Sequence, residues 1–100
     1  YQWMAPEVLR KEKYDFPADV YSFGMIIWEI LSEKIPYADM SLNQIVGTVG
    51  YDEMYCIERP SRGEPYLIEL MYDCLKYKLE DRPSFMEILA RLDQHKTQNM

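Results

Sequence analysis

Metal- and disulfide-forming residues are scarce in this chain of 100 residues. It holds two cysteines, Cys56 and Cys74, far apart and in no CxxC spacing, and one histidine, His95. A disulfide framework or a zinc centre needs more ligands than that, so two reduced thiols are expected. Positive charge is also short, with 11 Lys and Arg against 17 Asp and Glu and a net charge of −6. Without a Lys/Arg stripe above that acidic background, a surface that tracks nucleic-acid phosphates is excluded, and no nucleic-acid partner is expected. Glycine is rare at four residues, and Gly47 and Gly50 follow no strand pattern that would make a phosphate-cradling loop. The longest apolar run, Val20 to Leu31, is too short to span a bilayer and carries Glu29, so this segment is expected to make no membrane contact. The chain opens on Tyr1 without an initiator Met or a signal-peptide pattern, and is expected to be part of a longer protein.

What is present is a globular composition, 48% hydrophobic and 28% charged, without internal repeat or low-complexity tract. The hydrophobic periods are helical and almost no strand pattern occurs, so the fold class expected is all-α. Pro6 suits a first helical position, which opens a short helix to about Glu12. A polar turn is expected from Lys11 to Pro17. From Asp19 to Ser32 apolar residues point in every direction of a 3.6-residue helix, with Asp19 and Glu29 as its only charges. Such a helix is expected to be surrounded by others, and Asp19 stands where it can accept from free N–H groups or meet the dipole. Ser41 and Gln44 form a capping box for a helix to about Gly50, with Leu42, Ile45, Val46 and Val49 on one face. Pro65 leads into a helix with Leu67, Leu70, Met71, Cys74 and Leu75 at core spacing. Ser84 and Glu87 form a second capping box, and Phe85, Ile88, Leu89 and Leu92 make the stripe of the last helix. Residues 33–40, 52–64 and 76–83 read as links. His95 to Met100 reads as a tail, with His95 solvated.

Trp3-Met4-Ala5-Pro6-Glu7 matches the Ala-Pro-Glu motif at the end of the activation segment of protein kinases. At fitting distances follow Asp19-Val20-Tyr21-Ser22-Phe23-Gly24, Trp28-Glu29-Ile30-Leu31, Ile35-Pro36-Tyr37, Cys74-Leu75, Arg82-Pro83-Ser84-Phe85 and Glu87-Ile88. Together they resemble the C-terminal part of the large lobe of a kinase catalytic domain over nearly the whole chain. The run Asp19 to Leu31 leans to the tyrosine-kinase-like branch of Ser/Thr kinases, with tyrosine kinases next. Two positions depart from the pattern: Ala18, where Ser or Thr usually precedes the Asp, and Leu75, where Trp usually follows the Cys. Asp15-Phe16 is no metal-binding Asp-Phe-Gly, since Pro17 follows and it lies after Ala-Pro-Glu.

The resemblance implies a role for several residues. Glu7 and Arg82 would pair, tying the activation segment to the core, because a planar guanidinium fits a carboxylate bidentately. Asp19 resembles the Asp that bonds the catalytic-loop backbone; the plain alternative is a helix cap. Tyr1, Gln2, Trp3 and Met4 match the stretch that receives the substrate residue just after the phosphorylated one; the alternative for Trp3 and Met4 is ordinary core packing. The ATP-binding and catalytic motifs of kinases precede Ala-Pro-Glu, and none is present in these residues. No catalytic, cofactor-binding or metal-binding residue is therefore assigned, and ATP and magnesium are implied only for the parent kinase. The expected partners are the remainder of the kinase domain and a protein or peptide substrate, in a cytoplasmic setting, with membrane attachment of the parent left open. Two readings of function stay open: a portion of an active kinase, and a pseudokinase-derived or helical interaction scaffold.

Overall fold

The computed structural model describes residues 1–98, and among them every regular element is helical. In chain order they are α1 (Pro6–Leu9), α2 (Phe16–Ser32), α3 (Leu42–Ile45), α4 (Pro65–Cys74) and α5 (Phe85–Gln98). A π turn, Val46–Gly50, extends α3, and a 3₁₀ turn, Leu79–Asp81, precedes α5.

The helix α2 is the axis of the molecule. It begins at Phe16 rather than Asp19, and its cap is Asp15, whose carboxylate accepts from the Phe16 N–H at 2.8 Å. Pro17 falls in the first turn, where its fixed φ suits the helix and its missing N–H costs nothing. The proline expected to close a turn therefore opens the helix, and Asp19 is not the cap. The far end closes on Glu33, in the left-handed region at φ 56°, with its N–H on Glu29 O at 2.8 Å.

α4 packs along α2, and α1 packs on the π turn. Met25, Trp28, Ile68 and Met71 join Leu9, Ile45 and Val49 in the main core. A second cluster, Val20, Leu70, Cys74 and Ile88, seats α5 on α2 and α4. Phe23 and Phe85 meet edge to face there, 6.1 Å between centroids.

Both capping boxes form. Ser41 Oγ accepts from Gln44 N at 3.2 Å, and Gln44 Oε1 from Ser41 N at 2.7 Å. At α5 the corresponding distances are 3.1 Å for Ser84 and Glu87 N, and 3.3 Å for Glu87 and Ser84 N. The expected faces differ in detail. Leu42, Phe85 and Leu89 are exposed, while Ile45, Val49 and Ile88 are buried. α1 stops at Leu9, short of Glu12, because Lys11 turns the chain at φ 62°. The expected tail is helical through Gln98, and residues 99 and 100 lie outside the described residues. His95 is half-buried and stacks on Tyr66, 3.4 Å between ring centroids.

The described helices surround α2 except along one line. Phe16, Asp19, Ile26 and Ile30 form an exposed line along it, with Ile30 66% exposed. Those positions recur at helical spacing; Phe16 shares an open groove with Leu79, Phe85 and Met86, while Ile26 and Ile30 face away from both cores.

Candidate functional site

Residues 1–5 lead into α1 as a short strip laid over the middle of α2. Trp3 fixes it: the indole N–H donates to Glu29 Oε1 at 3.0 Å, and the Trp3 carbonyl accepts from Ser22 Oγ at 2.8 Å. Glu29 is the lone acid in the apolar middle of α2, and this contact gives its half-buried carboxylate a donor. The Trp3 ring packs partly against the main core. Around it Tyr1 and Met4 are exposed, Gln2 is half-buried and Ala5 is buried. The strip thus has a pinned centre with side chains open to solvent on either side.

α1 carries the anchor. Glu7 is buried on it, and Arg82 is buried at the turn before α5. Arg82 Nη1 donates to Glu7 Oε2 at 2.8 Å, and Nη2 to Glu7 Oε1 at 2.9 Å, a bidentate fork. The rest of the guanidinium is also engaged. Nε donates to Lys76 O at 2.8 Å, Nη1 to Pro17 O at 2.9 Å and Nη2 to Tyr77 O at 3.1 Å. All five donors of the guanidinium therefore have acceptors, and its carbon lies 5.0 Å from the centroid of the Tyr21 ring. Burial alone would raise the Glu7 pKa, but hydrogen bonds and positive charge from Arg82, with a smaller contribution from Arg10, hold it below the usual carboxylate value.

A second grip lies one turn away. Arg10 Nη1 donates to Gly50 O at 2.6 Å and to the Tyr77 hydroxyl at 2.8 Å, while Nε and Nη2 hold Glu12. Its guanidinium sits 5.1 Å from the Tyr77 ring centroid. Tyr77 is thus shared, its carbonyl taken by Arg82 and its hydroxyl by Arg10. Sequence reasoning missed Arg10 and Tyr77, whose spacing carries no motif. The Trp3–Glu29 contact had one signal, an acid in an otherwise apolar helix.

The structure brings Glu7 and Arg82 together, and sets Tyr1, Gln2, Trp3 and Met4 on one strip beside them. Asp19 is not part of this constellation; it is exposed on the first turn of α2.

A family model described as protein tyrosine and serine/threonine kinase matches residues 1–92. The chain belongs to this family. It is 41% identical over 91 residues to a probable serine/threonine-protein kinase, SIS8, of Arabidopsis thaliana, covering 91% of this chain and 9% of that protein. It is equally identical, 41% over 91 residues, to the probable serine/threonine-protein kinase drkC of Dictyostelium discoideum, covering 91% of this chain and 12% of that protein. Mitogen-activated protein kinase kinase kinase 12 of Rattus norvegicus is 38% identical over 91 residues, covering 91% of this chain and 10% of that protein. The chain spans about a tenth of the length of these curated relatives. It is a portion of a protein kinase domain whose relatives are Ser/Thr kinases, and its all-helical architecture fits the C-terminal subdomain of that fold. Within the kinase frame the two departures are structural: Ala18 is buried, and Leu75 packs beside Gly24.

Proposed function

We propose that these residues supply the peptide-docking strip and the structural base of a serine/threonine protein kinase, while phosphoryl transfer from Mg-ATP belongs to the rest of its kinase domain. The observation that carries this reading is the double fixation of the strip, by Trp3 on Glu29 and by Glu7 in the Arg82 fork. A loop that receives a peptide must hold its shape before the peptide arrives, and positioning is most of what a kinase contributes to the reaction. Tyr1, Gln2 and Met4 then offer contact to the residue that follows the phosphorylated one. The partners are a protein or peptide substrate and the remaining kinase domain, which would cover the exposed line Phe16, Ile26 and Ile30. Two free thiols, Cys56 exposed and Cys74 buried, suit a cytoplasmic setting.

The test is steady-state kinetics of the full-length protein on a peptide library. Substitution of Met4 by Ala should raise KM for the preferred peptide and alter its selectivity after the phosphorylated residue, with KM for ATP unchanged. An unchanged peptide KM and selectivity removes the docking role. A full-length protein that transfers no phosphate but still binds the peptide favours the scaffold reading.

A further inference from the structure

A cavity of about 320 Å³ opens between the first half of α2, the link after the π turn and the end of α4. Five tyrosines line it: Tyr21, Tyr37, Tyr55, Tyr72 and Tyr77. Three of their hydroxyls, those of Tyr37, Tyr72 and Tyr77, already have partners. Tyr72 donates to Ile57 O at 2.9 Å, and Tyr77 donates to Gly50 O at 3.2 Å while accepting from Arg10. The Tyr37 hydroxyl donates to Met25 Sδ at 3.9 Å. An occupant therefore meets ring surface more than free donors. Leu75, where the family resemblance led to expect Trp, forms part of the wall, so the cavity there is bounded by an isobutyl group rather than a ring.

Charge decides the class of occupant. Two of the rings already carry a guanidinium, Arg82 at 5.0 Å from Tyr21 and Arg10 at 5.1 Å from Tyr77, which weakens their pull on a further cation. Lys76 adds positive charge to the wall. An anion gains little either: ring faces repel it, Glu53 on the wall offsets Lys76, and both arginines are already paired, Arg82 with Glu7 and Arg10 with Glu12. Tyr21 and Tyr37 stay neutral: burial pushes Tyr21 up to about 12 and raises Tyr37 as well. The volume is at the small end of ligand pockets.

We infer that this tyrosine-walled cavity binds a small, neutral, flat aromatic molecule of about the size of an indole. Its walls include the two tyrosines gripped by the arginines that hold α1, so the site adjoins the anchor of the docking strip without being part of it.

Cys56 makes the inference testable, because it lines the cavity and is exposed, whereas Cys74 is buried with its thiol pushed up to about 11. In the full-length protein, alkylation of Cys56 by iodoacetamide is followed by peptide mass spectrometry with and without indole; the labelling does not depend on kinase activity. At three times its Kd indole should slow Cys56 about fourfold, the factor 1 + [L]/Kd. Benzyltrimethylammonium and benzoate should leave the rate unchanged. Leu75→Trp should slow Cys56 without any probe and abolish the indole effect, because the cavity is then filled from within. Tyr55→Ala, which removes a wall, should also abolish it, and an unlabelled Cys74 reports that either variant is folded. An indole-independent rate overturns the site, and equal protection by either charged ring overturns the proposed class.

Discussion

The Arg82 guanidinium and the Glu7 carboxylate meet through two hydrogen bonds of 2.8 and 2.9 Å, although 75 residues separate them. Both are buried, so the pair links α1 to the turn before α5 across the core. Removing either partner leaves a buried charge without its counterion, which costs about 3–5 kcal/mol. A double-mutant cycle on Glu7→Ala and Arg82→Ala in the full-length protein should give strong coupling by urea unfolding. Arg82→Lys should not rescue, since an ammonium cannot hold the Glu7 oxygens and three carbonyls at once. Coupling near zero would contradict the geometry.

The same pair sets a pH dependence. The folded-state pKa of Glu7 lies below its ordinary value of 4.5. The contribution is therefore complete above 4.5 and disappears as pH falls through the lower, folded-state value. Urea midpoints taken from neutral pH into acid should fall less steeply for Glu7→Gln than for the native chain. Parallel profiles would show that other carboxylates carry the acid sensitivity.

Much of this was readable from residue types. Both capping boxes rest on Ser and Gln or Glu three apart, a local signal that tertiary packing did not override. Local signals failed where two of them competed. Pro17 reads as a break and Asp19 as a cap, yet Asp15 caps and Pro17 sits in the first turn, because proline is tolerated there and nowhere deeper. The Glu7–Arg82 contact was reachable only through family resemblance, since periodicity says nothing of residues so far apart. Arg10, Tyr77 and Gly50 carry neither period nor motif, and only the folded chain brings them together.

Gly24 shows how tightly α2 and the end of α4 approach. A Cβ built there would lie 2.8 Å from the Cys74 Cβ and 2.9 Å from Leu75 Cδ2. The Cys74 atom is held close to its backbone and cannot swing away. Gly24→Ala should therefore destabilise the protein by about 1–3 kcal/mol through overpacking, despite the better helix propensity of alanine. Gly47→Ala, with nothing within 4 Å of the added carbon, should not. Thermal unfolding of the two variants side by side separates these outcomes.

Trp3→Phe keeps a ring in place and deletes the N–H that reaches Glu29 at 3.0 Å. A hydrogen bond to a charged group contributes about 1.5–3 kcal/mol, and the half-buried setting of Glu29 puts the loss toward the lower end. Trp3→Phe combined with Glu29→Gln should cost less than the sum of the two single changes. Additive losses from chemical denaturation would show that Trp3 acts by packing alone.

The exposed line on α2 yields a prediction whose sign depends on context. Ile26 and Ile30 are 47% and 66% exposed, and Phe16 is 71% exposed, on a helix otherwise packed into two cores. In the 100-residue chain alone these side chains face water, so the chain should bind a dye for apolar surface and associate with itself. Ile26→Asp with Ile30→Glu should then lower dye binding and self-association with little loss of helix. In the full-length kinase the remaining domain is proposed to cover the same face. There the same pair of changes buries two carboxylates and forfeits about 1.5–3 kcal/mol of apolar burial at each site. That is a large fraction of a domain's total stability of about 5–15 kcal/mol, so the full-length variant should unfold or fail to accumulate. Dye fluorescence on the short chain and thermal unfolding on the long one are the two readouts. A full-length variant as stable as the native protein would mean that the kinase domain leaves this face of α2 open.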